Sequence, residues 1–460
     1  MIRKERRMNR ENFVNNVNLR RPIALALAAL LGSSAAHAVK LGDLEFNGFA
    51  KDEFSMCDNC SLGLSNPSSY DPRGVLSPPT PMLNQPGQSG QTTANLGLAM
   101  LTAGLNHEFD NAWAVTGRAT VRERNNGPDI YGNYLIDLYG GITYPKFGSL
   151  DVGKITSRLW TRSDSFAYPM GLSSPWAESG AGYGVFPKAV RYGTREFEIG
   201  VGKIRFEVTG ATAQKREPLN ASSSVVPPPT PKALEVFVQY SNAKNLIEVI
   251  YQDSTGGRQS AFPKGAFYGA QGDTNGPSTS PDYKAPTEDA LIIEGTHWFN
   301  PTWKLTYGLK RSEWSGQQQQ CDYGPTSPTA SNCFWDQPGF NYASDFQRHH
   351  AIEWDAMAGV GYNYRLWTFT FGGVRYNKAY VRTPTEYGQS NSATFLNAGI
   401  YRKLPEVSKH MEVYGGFGHV IFDRQLPAPL SFANNTAIFN VDPRESRSAN
   451  SITIGANFIF

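Results

Sequence analysis

Ser451-Ile452-Thr453-Ile454-Gly455-Ala456-Asn457-Phe458-Ile459-Phe460 closes the chain. Ile452, Ile454, Ala456, Phe458 and Phe460 share one parity; Thr453, Gly455 and Asn457 share the other. Successive side chains of a strand point to opposite faces, so this segment reads as a strand with one apolar face. Two settings accommodate it. A soluble β protein would bury the face in its core. A closed barrel in a lipid bilayer would pair the strand with the first one and turn the face to the acyl chains. The rest of the chain decides between them.

The first residues have the pattern of an export leader. Arg3, Lys4, Arg6, Arg7, Arg10, Arg20 and Arg21 form a basic region, with Met8 an alternative start. Ile23 to Leu31 is an apolar run too short to span a bilayer, and Ala36-His37-Ala38 fits a cleavage site. Residues 1–38 are therefore expected to be a signal peptide, and 39–460 the mature domain. The whole chain holds 43 Lys+Arg and 40 Asp+Glu; without the leader it keeps 36 and 38, a formal charge of −2. Its basicity thus belongs to the leader, and no basic tract suggests nucleic acid as a partner.

Four cysteines fall in two close pairs, Cys57/Cys60 and Cys321/Cys333. An even count in an exported chain favours disulfides, each expected to close within one external loop. The spacing of the second pair departs from zinc-binding patterns, and no metal or cofactor is expected. His349-His350 is a histidine pair at a strand mouth where a metal could sit, and no Gly-x-Ser-x-Gly, His-Glu-x-x-His or P-loop pattern occurs.

Beyond the leader, no run approaches the ~18 apolar residues of a membrane helix. Alternating segments recur instead, at 41–54, 93–109, 112–124, 134–144, 148–156, 188–194, within 197–213, and at 232–240, 245–253 and 289–299. They continue at 303–314, 348–364, 366–380, 392–404 and 410–422, before the terminal strand. In 112–124, Trp113, Val115, Gly117, Ala119 and Val121 share one face, and Thr116, Arg118, Thr120, Arg122 and Arg124 the other. Asp110-Asn111, Ser241 to Lys244 and Asn300-Pro301 mark tight turns. Pro-, Gly- and Ser-rich stretches, among them 55–92, 214–231 with Pro227-Pro228-Pro229, 254–288 and 315–346, mark long loops. Between Phe371 and Val374 the apolar parity switches, which suggests a bulge at Gly372-Gly373. Sixteen strands with alternating long and short connections specify an all-β fold: an antiparallel transmembrane barrel with long external loops and short periplasmic turns. Trp113, Tyr144, Tyr240, Trp298, Trp303, Tyr364 and Trp367 stand near strand ends, as in an aromatic girdle.

Tyr139-Gly140-Gly141-Ile142, Phe147 to Lys154, Ala189-Val190-Arg191-Tyr192-Gly193-Thr194 and the aromatic terminus resemble the Gram-negative trimeric porins of β-proteobacterial type. The chain departs from that family in having Lys154 where Arg is usual, and in lacking the Pro-Glu-Phe-Gly-Gly pattern of enteric porins in its third loop, about 157–187. The resemblance implies an outer-membrane homotrimer in contact with lipid, assembled by the barrel-assembly machinery through its C-terminal strand. It also implies a third loop folded into the pore.

The polar face of such a barrel lines water, so the expected activity is passive diffusion of small hydrophilic solutes and ions. Arg118, Arg122, Arg124, Arg191 and Arg205 are expected on the basic wall, opposed by Asp164 and Glu178 from the third loop. Lys203 shares the parity of Arg205, whereas Lys154 shares that of Leu150 and Val152. The alternatives are a channel selective for anions or organic acids, a barrel-based enzyme, and an adhesin.

Overall fold

The computed structural model describes residues 39–58, 92–124, 127–128, 135–159, 161–162, 185–212, 232–255, 287–317, 348–378, 380–381, 391–425, 429 and 446–460. Residues 1–38, read above as a leader, and Asp164, Glu178, Cys60, Cys321 and Cys333 lie outside these residues, as do the side chains of Cys57, Arg124, His349 and His350.

Sixteen long strands build one antiparallel sheet that closes on itself. They are β1 (Leu44–Asp58), β2 (Thr92–Glu108), β3 (Ala114–Arg124), β4 (Leu135–Tyr144), β5 (Gly148–Thr156), β6 (Val185–Gly193), β7 (Gly202–Thr212) and β8 (Lys232–Ser241). The second half comprises β9 (Asn245–Thr255), β10 (Thr287–Trp298), β11 (Trp303–Gln317), β12 (Arg348–Tyr364), β13 (Trp367–Tyr376), β14 (Ala393–Lys403), β15 (Met411–Phe422) and β16 (Ser448–Ile459). Each pairs with its chain neighbours. β1 pairs with β16, from Phe49 opposite Ile459 to Asp58 opposite Asn450. Below that ladder Gly48 and Phe460 exchange backbone hydrogen bonds of 2.9 and 3.0 Å. The quoted terminal segment is thus the closing strand, and closure leaves no open edge in the bilayer.

Alternation turns the barrel inside out relative to a soluble protein. Phe54, Met56, Val115, Leu138, Val152, Val208, Leu309, Phe371, Phe417, Ile452 and Ile454 are exposed on the outer face. Glu53, Ser55, Thr120, Glu235, Glu248, Glu294, Lys310, Glu353, Ser451 and Thr453 are buried on the inner one. Lipid supplies the apolar contacts that a core would otherwise provide.

The short turns carry the chemistry their sequences suggest. Asn242 Oδ1 accepts hydrogen bonds from the amides of Lys244 and Asn245, both at 2.8 Å. Asn300 Oδ1 accepts from Thr302 and Trp303, both at 2.9 Å. These side chains mimic a backbone turn and so fix a tight reversal. Aromatic rings gather at this end: Trp113 stacks on Tyr144 at 4.8 Å, and Trp303 meets Tyr362 at 4.6 Å. At the opposite rim Arg375 Nη1 and Nη2 grip Asp423 at 3.0 and 2.5 Å. That clamp, with a hydrogen bond from Ser392, holds the Asp423 carboxyl down at about 2.

The expected bulge at Gly372-Gly373 is not formed. The registers of β13 with β12 and with β14 run through it without a shift. Phe369 and Phe371 face lipid, while Val374 and Tyr376 lie buried on the inner face. The parity of hydrophobicity switches there because this part of the lumen wall is itself buried, not because the backbone slips. The register does shift between Gly153 and Ile155, opposite Ala189 and Phe186, where Pro187 has no N–H to give a ladder. Gly153 adopts φ +148°, a conformation open to glycine. A second shift falls between Thr120 and Val121 of β3 against β4.

Candidate functional site

Immediately after β5 the third loop begins, and its root turns inward. Residues 158–159 and 161–162 are helical, with Thr161 N–H donating to Ser157 C=O at 3.1 Å. The root rests on a small apolar nest of Ile155, Phe186 and Ala189, against which Tyr139, Ala211 and Ala233 pack. Asp137 Oδ1 accepts the Thr156 amide at 2.8 Å, tying the same segment to β4.

The wall it meets is acidic. Inward positions of three consecutive strands carry Glu207, Glu235 and Glu248, all buried. The ladder aligns Arg191, Thr209, Glu235 and Gln252 in one row across β6 to β9. A neighbouring row aligns Glu207, Phe237 and Ile250, and the next Arg205, Gln239 and Glu248. Arg158 Nε and Nη2 donate to the two oxygens of Glu207 at 2.6 and 2.8 Å. The amides of Arg158 and Leu159 donate to Glu235 Oε1 and Oε2 at 2.8 and 3.1 Å. Arg162 Nη2 lies 2.6 Å from Glu248 Oε1. Phe237 sits among the cations, its ring 5.4 Å from Arg158, 5.8 Å from Arg162 and 5.5 Å from Arg205. The fork geometry of a guanidinium matches a carboxylate with two parallel bonds, which fixes direction as well as charge.

This arrangement differs from the expected basic wall and acidic loop, whose Asp164 and Glu178 lie outside the described residues. On β7 to β9 the wall supplies carboxylates, and the loop root supplies arginines. Arg191 is not an open wall cation: only 6 % of it is exposed. Its Nε donates to Thr209 Oγ1 at 2.9 Å and its Nη2 to Thr156 C=O at 2.8 Å, with Glu235 3.5 Å away. Arg205 Nη1 stands 3.9 Å from Glu207. Lys203 lies near the short-turn rim, paired with Glu196 at 2.9 Å. Lys154 keeps the outward parity and folds its ammonium back onto the Leu135 carbonyl.

Arg118 and Arg122 lie on the inward parity of β3. The Arg118 side chain is 44 % exposed; its Nε donates to Thr120 Oγ1 at 3.2 Å and lies 3.6 Å from Asp137. Arg122 is half-buried on the same inward parity. The backbone of Arg124 continues that strand. Glu207, Glu235 and Glu248 were detectable as inward carboxylates by parity alone. Arg158 and Arg162 were not, because no periodicity governs a loop root.

No protein-family model matches the sequence, and no curated protein matches it. Solved structures do resemble the fold. An anion-selective porin from Comamonas acidovorans has a TM-score of 0.53 at 10 % identity, over 91 % of this chain and 99 % of that one. The outer membrane channel DcaP of Acinetobacter baumannii gives 0.52 at 11 % identity, over 92 % and 100 %. Outer-membrane-expressed OmpT of Vibrio cholerae gives 0.51 at 11 %, over 92 % and 100 %. At such identities the likeness carries the architecture alone: this chain has the sixteen-stranded barrel fold seen in outer-membrane porins and channels.

Proposed function

We propose that the protein is an outer-membrane porin of a Gram-negative bacterium, passing small hydrophilic solutes and ions by passive diffusion, with no catalytic role. The observation that carries this reading is a closed barrel whose outward face is apolar and whose inward face is polar and charged. Single-channel recording in planar bilayers tests it. Stepwise ohmic conductance is expected, and a folded protein that inserts without conducting would overturn the reading.

A weak preference for anions belongs to the proposal. The mature chain is close to neutral, so local placement decides which ions pass. Arg118 and Arg122 stand two inward positions apart, roughly 7 Å per step of two residues. The roughly 14 Å between them exceeds a Debye length of about 8 Å at physiological salt but lies within the ~30 Å reached at 0.01 M, so their potentials overlap at low salt. Replacing both by Gln should shift the zero-current potential in a KCl gradient toward cations, most strongly at low salt. An unchanged potential in the double variant would remove these arginines from selectivity. A channel specific for organic acids is the second reading, favoured by the same exposed guanidinium of Arg118.

Association as a homotrimer is also proposed. Most outward positions are large and apolar, Phe54, Ile452 and Ile454 beside the closing seam among them, but one patch there is small and charged. Asp52 is exposed between Ala50 and Phe54 on the outward parity of β1. Its ladder partners are Gly97 of β2 and Ala456 of β16, with Ala99 opposite Ala50. A carboxylate at this depth is costly against lipid, and small neighbours allow close approach of another protein surface. Asp52→Leu should lower the trimer fraction measured by light scattering of the detergent-extracted protein. A wild-type monomer in the same measurement would sink the trimer.

A further inference from the structure

A recess of about 500 Å³ opens on the inner wall of β1 to β5, toward the short-turn end. Missing side chains create it. Ladder register places Glu45 of β1 and Arg118 of β3 in one row, with Gly104 of β2 between them. The nearest atom to a Cβ built at Gly104 is a backbone oxygen 3.8 Å away, so the gap between acid and base is open. In the adjoining row Gly141 lies between Thr116 and Asp151. The Asp151 carboxylate leans over Gly141 so closely that a Cβ there would collide with it, and Thr116 Oγ1 would stand 2.9 Å from the same point. The Thr116 hydroxyl has no hydrogen-bond partner among the described residues.

The recess therefore presents a half-exposed guanidinium facing Glu45 and Asp151, with Asp43 at its lip and Tyr139 as an aromatic wall. Behind the guanidinium, Asp137 is buried and holds it in place. Both signs of charge stand across an open gap, and pockets of this volume hold solutes of amino-acid to dipeptide size. On this basis we infer that the recess is a binding subsite for zwitterionic amino-acid solutes, with the solute carboxylate on Arg118 and its ammonium on Asp151 and Glu45. The inference rests on the channel reading above. A binding step here would give permeation that saturates with concentration.

The test uses the full chain in planar bilayers, with L-lysine added on the short-turn side at low salt. Lysine should reduce the KCl current along a saturating curve. The double variant Asp151→Asn/Glu45→Gln should raise the half-effect concentration about five-fold, the value of roughly 1 kcal/mol for a solvated ion pair. Gly104→Leu should weaken the effect by filling the gap without altering charge, its folding checked by heat-modifiable migration. Cadaverine, which lacks the carboxylate, should act only at higher concentration. A linear lysine response, equal potency of cadaverine, or variants that match wild type would each overturn the subsite. Absence of any KCl conductance in the wild type would instead refute the channel reading.

Discussion

Replacing Arg158 by methionine is expected to raise single-channel conductance while the barrel stays folded. Among the described residues, Arg158 makes the most bonds between the loop root and the wall. It makes two bonds to Glu207, and its backbone shares Glu235 with that of Leu159. Methionine preserves much of the stem but removes the fork. Among the described residues Glu207 would then keep Arg191 and Arg205, each 3.9 Å away. Breaking a buried pair by removing one partner costs about 3–5 kcal/mol, and water in the lumen reduces that figure here. The loss falls on the loop root, because the sixteen-strand ladder does not depend on Arg158. A root no longer pinned to β7 and β8 should leave a wider and noisier passage. Arg158→Lys should behave in between, since an ammonium restores charge without the bidentate geometry. Pairing Arg158→Met with Glu207→Gln should give less than the sum of the two single effects, as expected for residues in direct contact. Unchanged conductance in Arg158→Met would show that the root does not set the width of the pore.

The second large effect is expected at the closing seam. Deleting Phe460 removes both backbone bonds to Gly48 and the ring that lies over it. In a bilayer an unsatisfied backbone group costs several kcal/mol, far more than in water. Less protein should therefore reach the outer membrane in folded, heat-modifiable form. Gly48→Val attacks the same place from the other strand. A Cβ at Gly48 would collide with the Met100 carbonyl oxygen and stand 3.0 Å from Cζ of Phe460. Both variants should fail in the same way. Wild-type amounts of folded Phe460-deleted protein would show that the seam closes without its last rung.

The difference between these two sites follows the difference between local and non-local information. Alternation is a property of neighbouring residues, so Ile452, Ile454 and Phe458 disclose their face without reference to any other strand. The same rule placed Arg118 and Arg122 on the inner wall. Turn residues such as Asn242 and Asn300 act over three positions and were equally legible. Even the error at Gly372-Gly373 came from using hydrophobicity as a measure of lipid contact. Val374 and Tyr376 are apolar because their stretch of lumen wall is buried, a circumstance created by the whole fold.

By itself, then, the sequence determined an antiparallel barrel of sixteen strands, the two faces of strands such as β3 and β16, and which turns are short. Each of these follows from a two-residue period or a turn motif. Only the tertiary structure decided which inward charges meet. Arg191 has the same parity signature as Arg118, yet one is buried among Glu207, Glu235 and Thr209 while the other stands half open to the lumen. Their difference arises from cross-strand register and from the path of a loop root that carries Arg158 and Arg162 onto the wall. Coulomb and hydrogen-bond energies depend on distances between residues dozens of positions apart, and no local pattern encodes those distances.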